Sequence, residues 1–92
     1  MYILKCADDS YYTGSTHQLE KRFWEHQQGF GANYTAKRLP VSLLYFEEFQ
    51  RVDEAFAREK QVQGWSRKKK EALIAQDWEL LKGLSKSSRP VP

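Results

Sequence analysis

Residues 11–26, YYTGSTHQLEKRFWEH, change their side-chain period partway along, and that change limits what the chain can fold into. Tyr11-Tyr12-Thr13-Gly14 is aromatic and β-branched, which suits a pleated surface, and it stops at a glycine where the backbone can turn sharply. From Leu19 the spacing is helical: Leu19, Phe23, His26 and Phe30 recur at steps of three or four, with Arg22 at the margin of that face. A strand, a turn and a helix therefore follow one another directly. An arginine and a histidine four residues apart at the edge of a buried face cost stability, because burial strips both of water, so a function is expected of them.

Residues 2–6 read as a preceding strand with Tyr2, Leu4 and Cys6 on one face and Ile3 and Lys5 on the other. Asp8-Asp9-Ser10 has turn chemistry, and a three-residue loop over 8–10 sets Cys6 opposite Tyr12. Tyr2 and Tyr12 then share a face; a two-residue loop would separate them. Ser15 or Thr16 is expected to cap a first helix over 18–28, ended by Gly29 and Gly31. The loop through Tyr34, Lys37, Arg38 and Pro40 is basic and glycine-bearing, and is read as mobile surface open to a phosphate backbone.

The most apolar run, residues 41–46, is expected to be the buried third strand, finishing near Phe49. Asp53 suits the N-cap of a second helix over 54–63 that stops at Gly64. Val52, Ala55, Phe56, Val62 and Gln63 form one stripe of that helix, and Glu59 sits in its middle, an unexpected place for a carboxylate. Ser66 can cap a third helix over 67–76, with Ala72, Leu73 and Ile74 inward and Trp78, Leu81 and Leu84 as a continuation. The expectation is one domain over 1–82 and a disordered, Ser-, Lys- and Pro-rich tail over 83–92.

Size and composition narrow the class. A chain of 92 residues buries only about 60 to 65% of its unfolded surface, so stability should be modest. Cys6 is the lone cysteine, which excludes an internal disulfide, and with His17 and His26 it does not complete a structural zinc site. No apolar run approaches the roughly 20 residues of a membrane span, and no signal peptide is visible, so a soluble cytoplasmic protein with no membrane partner is expected. A net charge of +3 does not by itself argue for nucleic acid; the arrangement of charge must do so.

Tyr2-Ile3-Leu4, a polar turn, Tyr12-Thr13-Gly14, Arg22 ten residues after Tyr12 and Glu59 forty-seven after it stand in a telling order. This order resembles the GIY-YIG nuclease pattern: two tyrosines on adjacent strands, an arginine and often a histidine on the first helix, a metal-binding glutamate on a later one. The small stand-alone bacterial members are the nearest likeness. Their G-x-G-A-x-Y-T loop matches Gly29-Phe30-Gly31-Ala32-Asn33-Tyr34-Thr35, and a G-W-S-R-x-K-K-E stretch matches residues 64–71. The likeness covers roughly residues 1–75. The second triplet here reads Tyr-Thr-Gly, only the tyrosine of the first is present, and no counterpart of the asparagine near the domain end of some branches is visible.

The resemblance implies an α/β (α+β) domain, a three-stranded mainly antiparallel sheet flanked by helices. It also implies a metal-dependent endonuclease that hydrolyses phosphodiester bonds in DNA, in repair or processing. One Mg²⁺ or Mn²⁺ would be held by Glu59, and Arg22 would hold the scissile phosphate. Tyr12 is favoured as base or water-orienting group with Tyr2 in support, and His26 would share proton transfer or contact phosphate. Each residue also has a plainer use: the tyrosines as strand aromatics, Arg22 as a solvated side chain, His26 as packing or a helix C-terminal charge, and Glu59 as the partner of Arg58, Lys60 or Arg22.

Arg67, Lys68, Lys69 and Lys70 crowd a helix N-terminus, where each opposes the macrodipole at a cost of about 0.3 to 1 kcal/mol. With Lys21, Lys37 and Arg38 they make the candidate nucleic-acid-binding surface. Trp24 and Trp65 suit packing better than base stacking. The alternative function is a nucleic-acid-binding module of the same fold without turnover, and a protein-interaction domain is a third.

Overall fold

The strand over Tyr2–Lys5 (β1) lies at the centre of a three-stranded sheet, between β2 (Tyr11–Gly14) and β3 (Ser42–Phe46), both antiparallel to it. The computed structural model describes residues 1–87. Tyr2, Ile3 and Leu4 are all buried, as a strand covered on both faces and paired on both edges must be. The apolar run 41–46 is instead an edge strand, with Val41 buried but Ser42 and Phe46 exposed. This corrects the expected buried third strand. Apolarity signals burial, but whether a strand has neighbours on both sides is set by pairing.

The β1–β2 loop is three residues long, as expected, but occupies 7–9 and not 8–10. The Cys6 amide donates to the Ser10 carbonyl at 2.9 Å and the Asp9 amide to the Cys6 carbonyl at 3.0 Å, with Asp9 at φ 66. The αL conformation at the loop's third residue is the usual geometry of such hairpins. Tyr12 therefore faces Leu4 and not Cys6, and Tyr2 faces Gly14. The shift is two residues, the period of the pleat, so both tyrosines stay on one face.

Two helical layers cover the sheet. Met1 and Ile3 pack with Val62 of α3 (Val52–Gln63) and Leu73 of α4 (Arg67–Ile74); Tyr11, Tyr45, Trp65, Ile74 and Leu81 join them. On the opposite face Tyr2, Leu4, Cys6 and Val41 pack with Tyr12, Leu43 and the Leu19 and Phe23 side chains. The last two come from α1 (Leu19–Gln27), which the short α2 (Asn33–Ala36) flanks. Ile3, Leu4, Val62 and Leu73 are fully buried, each stabilising by about 1.5 to 3 kcal/mol.

Several helix ends differ from expectation. Gln18 is the N-cap of α1 without a side-chain bond; Thr16 accepts from the Gln18 amide at 3.1 Å, while Ser15 points to Glu59. Gly29, at φ 83, ends α1 as its lack of a Cβ allows. In α3 the N-cap is Arg51, and Asp53 lies in the first turn, paired to Arg51 at 3.0 Å. Ala55 and Val62 are buried but Val52 and Phe56 are exposed, so the apolar stripe of α3 is narrower than read. Ser66 caps α4 as expected, accepting from the Lys69 amide at 3.2 Å.

The chain breaks after Ile74 with Gln76 at φ 56, and Asp77 accepts from the Leu80 amide at 3.1 Å to open α5 (Trp78–Ser87). Trp78 and Leu81 thus belong to a separate helix and not to a continuation of α4. Residues 83–87 are helical where a tail was expected; the rest of that tail, 88–92, lies outside the described residues. Among the described residues no helix is long and apolar enough to cross a membrane.

Candidate functional site

Tyr2 at the start of β1 points across the sheet face toward α1, where the step of three or four residues brings His26 inward. The Tyr2 hydroxyl is hydrogen-bonded to Nε2 of His26 at 2.8 Å, and Nδ1 of His26 to the Thr35 hydroxyl at 2.8 Å. His26 and Thr35 are 0% exposed and Tyr2 2%. Burial lowers the His26 pKa to about 4, helped by the charge of Arg22 and opposed by Glu25, so the ring is neutral at pH 7. Burial pushes the Tyr2 phenol up to about 12, although Arg22 pulls the other way. His26 is fully enclosed, with its two ring nitrogens taken by Tyr2 and Thr35.

Tyr12 lies beside this pair, with its ring 6.4 Å from Tyr2 and 5.2 Å from His26. Burial raises its pKa and Arg22 lowers it. Arg22 donates to Glu25 at 3.4 Å, and its charge favours the ionised form of both phenols. Tyr34 stacks on Tyr12 at 6.1 Å, and the Arg38 guanidinium lies over the Tyr34 ring at 3.8 Å. Phe30, Asn33, Tyr34 and Lys37 of the stretch 29–38 are exposed, as a surface loop requires, while Thr35 is buried against His26. Arg38 is held by Asp8 at 3.0 Å and by the Tyr34 carbonyl at 2.9 Å.

Glu59 arrives from the opposite helical layer. It reaches the end of β2, where Ser15 donates to its Oε1 at 2.7 Å and Gln63 to its Oε2 at 2.8 Å, while Gln63 also donates to the Thr13 carbonyl at 3.1 Å. Its charge is felt at both Tyr2 and Tyr12. The side chain is 12% exposed, and its cation is a half-exposed Lys60 at 3.7 Å. Of the other expected partners, Arg58 is bound to Glu47 at 2.9 Å and Arg22 to Glu25.

Gly14 makes the convergence possible. A Cβ there would lie 2.5 Å from the Tyr2 oxygen, so a residue larger than glycine would displace the phenol. A cleft of about 490 Å³ adjoins the site, with Tyr2, Ser15, Leu19, Phe46, Phe49 and Arg51 among its lining.

A divalent ion is consistent with this donor set. Glu59 is a largely buried carboxylate satisfied mainly by neutral donors, so it retains charge for a hard cation. Among the described residues no three His, Cys, Asp or Glu side chains gather into a cage, so Glu59 would hold an ion together with water and substrate oxygens.

The basic residues are placed less simply. Lys21, Lys37 and Arg38 belong to the layer of α1 and α2, and Arg67, Lys68, Lys69 and Lys70 to α4 on the other side of the sheet. Arg67 pairs with Glu71 at 3.4 Å and covers the Tyr11 ring at 4.1 Å; Lys69 lies over Trp65 at 4.3 Å. Burial lowers the Lys70 pKa, with Arg67 adding to it. Lys21, Lys37 and Lys68 are exposed.

Sequence reasoning missed Thr35, Ser15 and Gln63 as site residues. The loop pattern that contains Thr35 was visible, but nothing local showed that its hydroxyl meets His26.

The GIY-YIG catalytic domain family matches residues 1–72. A UPF0213 protein of Natronomonas pharaonis is 44% identical over 77 residues, covering 84% of this chain and 91% of the relative. One from Clostridium perfringens is 49% identical over 75 residues, covering 82% and 81%. Another, from Bacillus pumilus, is 48% identical over 73 residues, covering 79% and 74%. No solved structure matches the chain.

Proposed function

The chain belongs to the GIY-YIG family of nucleases, whose substrates are nucleic acids, and from that membership and the site's geometry we propose that it is a metal-dependent DNA endonuclease. What supports this reading is the cluster of the Tyr2, Tyr12 and His26 rings, the Arg22 and Glu59 charges that both act on the two phenols, and the fixing of Glu59 by Ser15 just past the end of β2. A role in DNA repair or processing and a cytoplasmic location belong to the same reading.

Phosphodiester hydrolysis places added negative charge on the phosphate during attack, so fixed positive groups must be aimed at it. Arg22, permanently charged and forked, holds the scissile phosphate beside the two phenols. Glu59 would hold one Mg²⁺ or Mn²⁺, with Ser15 and Gln63 fixing the carboxylate's orientation. When bound, such an ion would supply Lewis-acid polarisation of the phosphate and stabilisation of the leaving oxygen. Tyr12, less enclosed than Tyr2, contacts the water or the phosphate, and Tyr2, fixed by His26, lines the cleft from which the water approaches. Exposed Lys21, Lys37, Arg67 and Lys68 hold the nucleic-acid backbone, with the partly buried Arg38, Lys69 and Lys70 contributing charge.

The test is cleavage of single-stranded, flap and branched DNA by purified protein with Mg²⁺ or Mn²⁺. Activity falls at least about a hundredfold in both Glu59→Ala and Arg22→Ala. Unchanged cleavage in the two variants removes the mechanism. Salt-sensitive binding with no cleavage of any substrate identifies a binding module instead.

A further inference from the structure

The loop over residues 29–35 encloses the His26 ring. A Cβ on Gly31 would collide with Nδ1 of the imidazole, so glycine backbone lies directly against the ring, and Thr35 holds Nδ1 from the same loop. A neutral imidazole has one N–H and one lone pair, so it donates at one nitrogen and accepts at the other. Burial and the nearby Arg22 charge keep the ring neutral.

Two arrangements of protons are available. In the first, Nδ1–H donates to the Thr35 oxygen, the Thr35 hydroxyl donates to the Ala32 carbonyl at 3.0 Å, and the Tyr2 hydroxyl donates to Nε2. In the second, Thr35 donates to Nδ1 and gives up Ala32, Nε2–H donates to the Tyr2 oxygen, and the Tyr2 proton must find another acceptor. Arg22, whose charge acts on that phenol, has only donors to offer. The first arrangement keeps one more hydrogen bond within the chain, that from the buried Thr35 hydroxyl to the Ala32 carbonyl.

We propose that Thr35 is a positioning residue: by accepting from Nδ1–H it selects the His26 tautomer that takes the Tyr2 hydroxyl proton, turning the lone pairs of the Tyr2 oxygen toward the cleft. Resting on the nuclease reading, the consequence is a choice between two roles. With its O–H committed inward, Tyr2 accepts from the attacking water and orients it; with the opposite tautomer it would donate to a phosphate oxygen. Thr35 makes that choice from behind the histidine, without touching substrate. Besides Arg22, the titratable groups around this pair are Tyr12 of β2, Glu25 of α1 and Glu59 of α3.

The test is the ¹⁵N spectrum of His26 in the whole protein, joined to steady-state cleavage. In the unmodified chain Nδ1 should show a pyrrole-type shift and Nε2 a pyridine-type shift. Thr35→Val removes the acceptor, moves the signals toward the Nε2–H form, and lowers kcat at least about tenfold with KM held within about twofold. Thr35→Ser restores both the signature and kcat. An Nε2–H tautomer in the unmodified chain overturns the proposal, as does an unchanged signature in Thr35→Val. The unmodified spectrum decides the tautomer even where the valine variant does not fold. An Nδ1–H spectrum from a protein that cleaves nothing supports the assignment while removing the nuclease reading.

Discussion

The Tyr2 hydroxyl and the His26 imidazole meet at 2.8 Å between the central strand and the first helix, and the histidine is completely buried. Burial, then the charge of Arg22, lowers the His26 pKa from 6.5 to about 4. Between those values the unfolded chain binds more protons than the folded one, so stability rises with pH through that window. The contribution, on the order of 3 kcal/mol, is complete above the unfolded pKa and is lost as pH falls toward the folded one. Urea midpoints at about pH 5 and about pH 7 should differ accordingly. His26→Gln should flatten the difference, and an equal slope in that variant would assign the effect elsewhere.

Gly14→Ala tests the close approach that lets the phenol reach its place. The added Cβ would lie 2.5 Å from the Tyr2 oxygen, so either the ring or the β2 backbone must move. The expected loss is about 1 to 3 kcal/mol of stability, as for other overpacked cores. Cleavage should fall along with it. A variant of unchanged stability and activity would show that the tyrosine is not held as described.

Glu59→Gln keeps the shape of the side chain and removes its charge. Mn²⁺ titrated into the ¹⁵N-labelled protein should broaden signals around Glu59, Ser15 and Gln63, which share hydrogen bonds. The glutamine variant should lose that broadening while keeping its melting temperature within a few degrees. Broadening centred on another cluster of carboxylates would move the metal away from Glu59.

Arg58 offers a control that separates fold from site. It donates to both oxygens of Glu47, at 2.9 and 3.2 Å, and Tyr45 donates to the same carboxylate at 2.7 Å. Burial raises the Glu47 pKa, but Arg58 and Tyr45 more than reverse that. Arg58→Met leaves the carboxylate with less compensation and should cost about 1 to 3 kcal/mol. Cleavage at a temperature where the variant is folded should match that of the unmodified chain.

Much of this arrangement could be read in the chain before any coordinates. The strand-to-helix switch between Tyr11 and His26, the cap at Ser66 and the shared face of Tyr2 and Tyr12 all depend on near neighbours and on the parity of a pleat. That parity tolerated a two-residue error in pairing. The antiparallel sheet and the family pattern were legible for a similar reason, since short motifs in a fixed order carry their own spacing. Arg58, one of the partners expected for Glu59, pairs instead with Glu47 across 11 positions of chain.

Periodicity along the sequence therefore settled the three strands and the bodies of α1, α3 and α4, though not α2 or α5, because those elements are held by residues a few positions apart. It could not rank the strands by burial, since centrality depends on which edges pair, and β1 gained both neighbours while the more apolar β3 took an edge. Nor could it bring Tyr2 to His26 across 24 residues or Ser15 to Glu59 across 44. Those meetings are products of packing two helical layers on one small sheet, where burial makes each unpaired polar group costly and so selects the arrangement that satisfies them together.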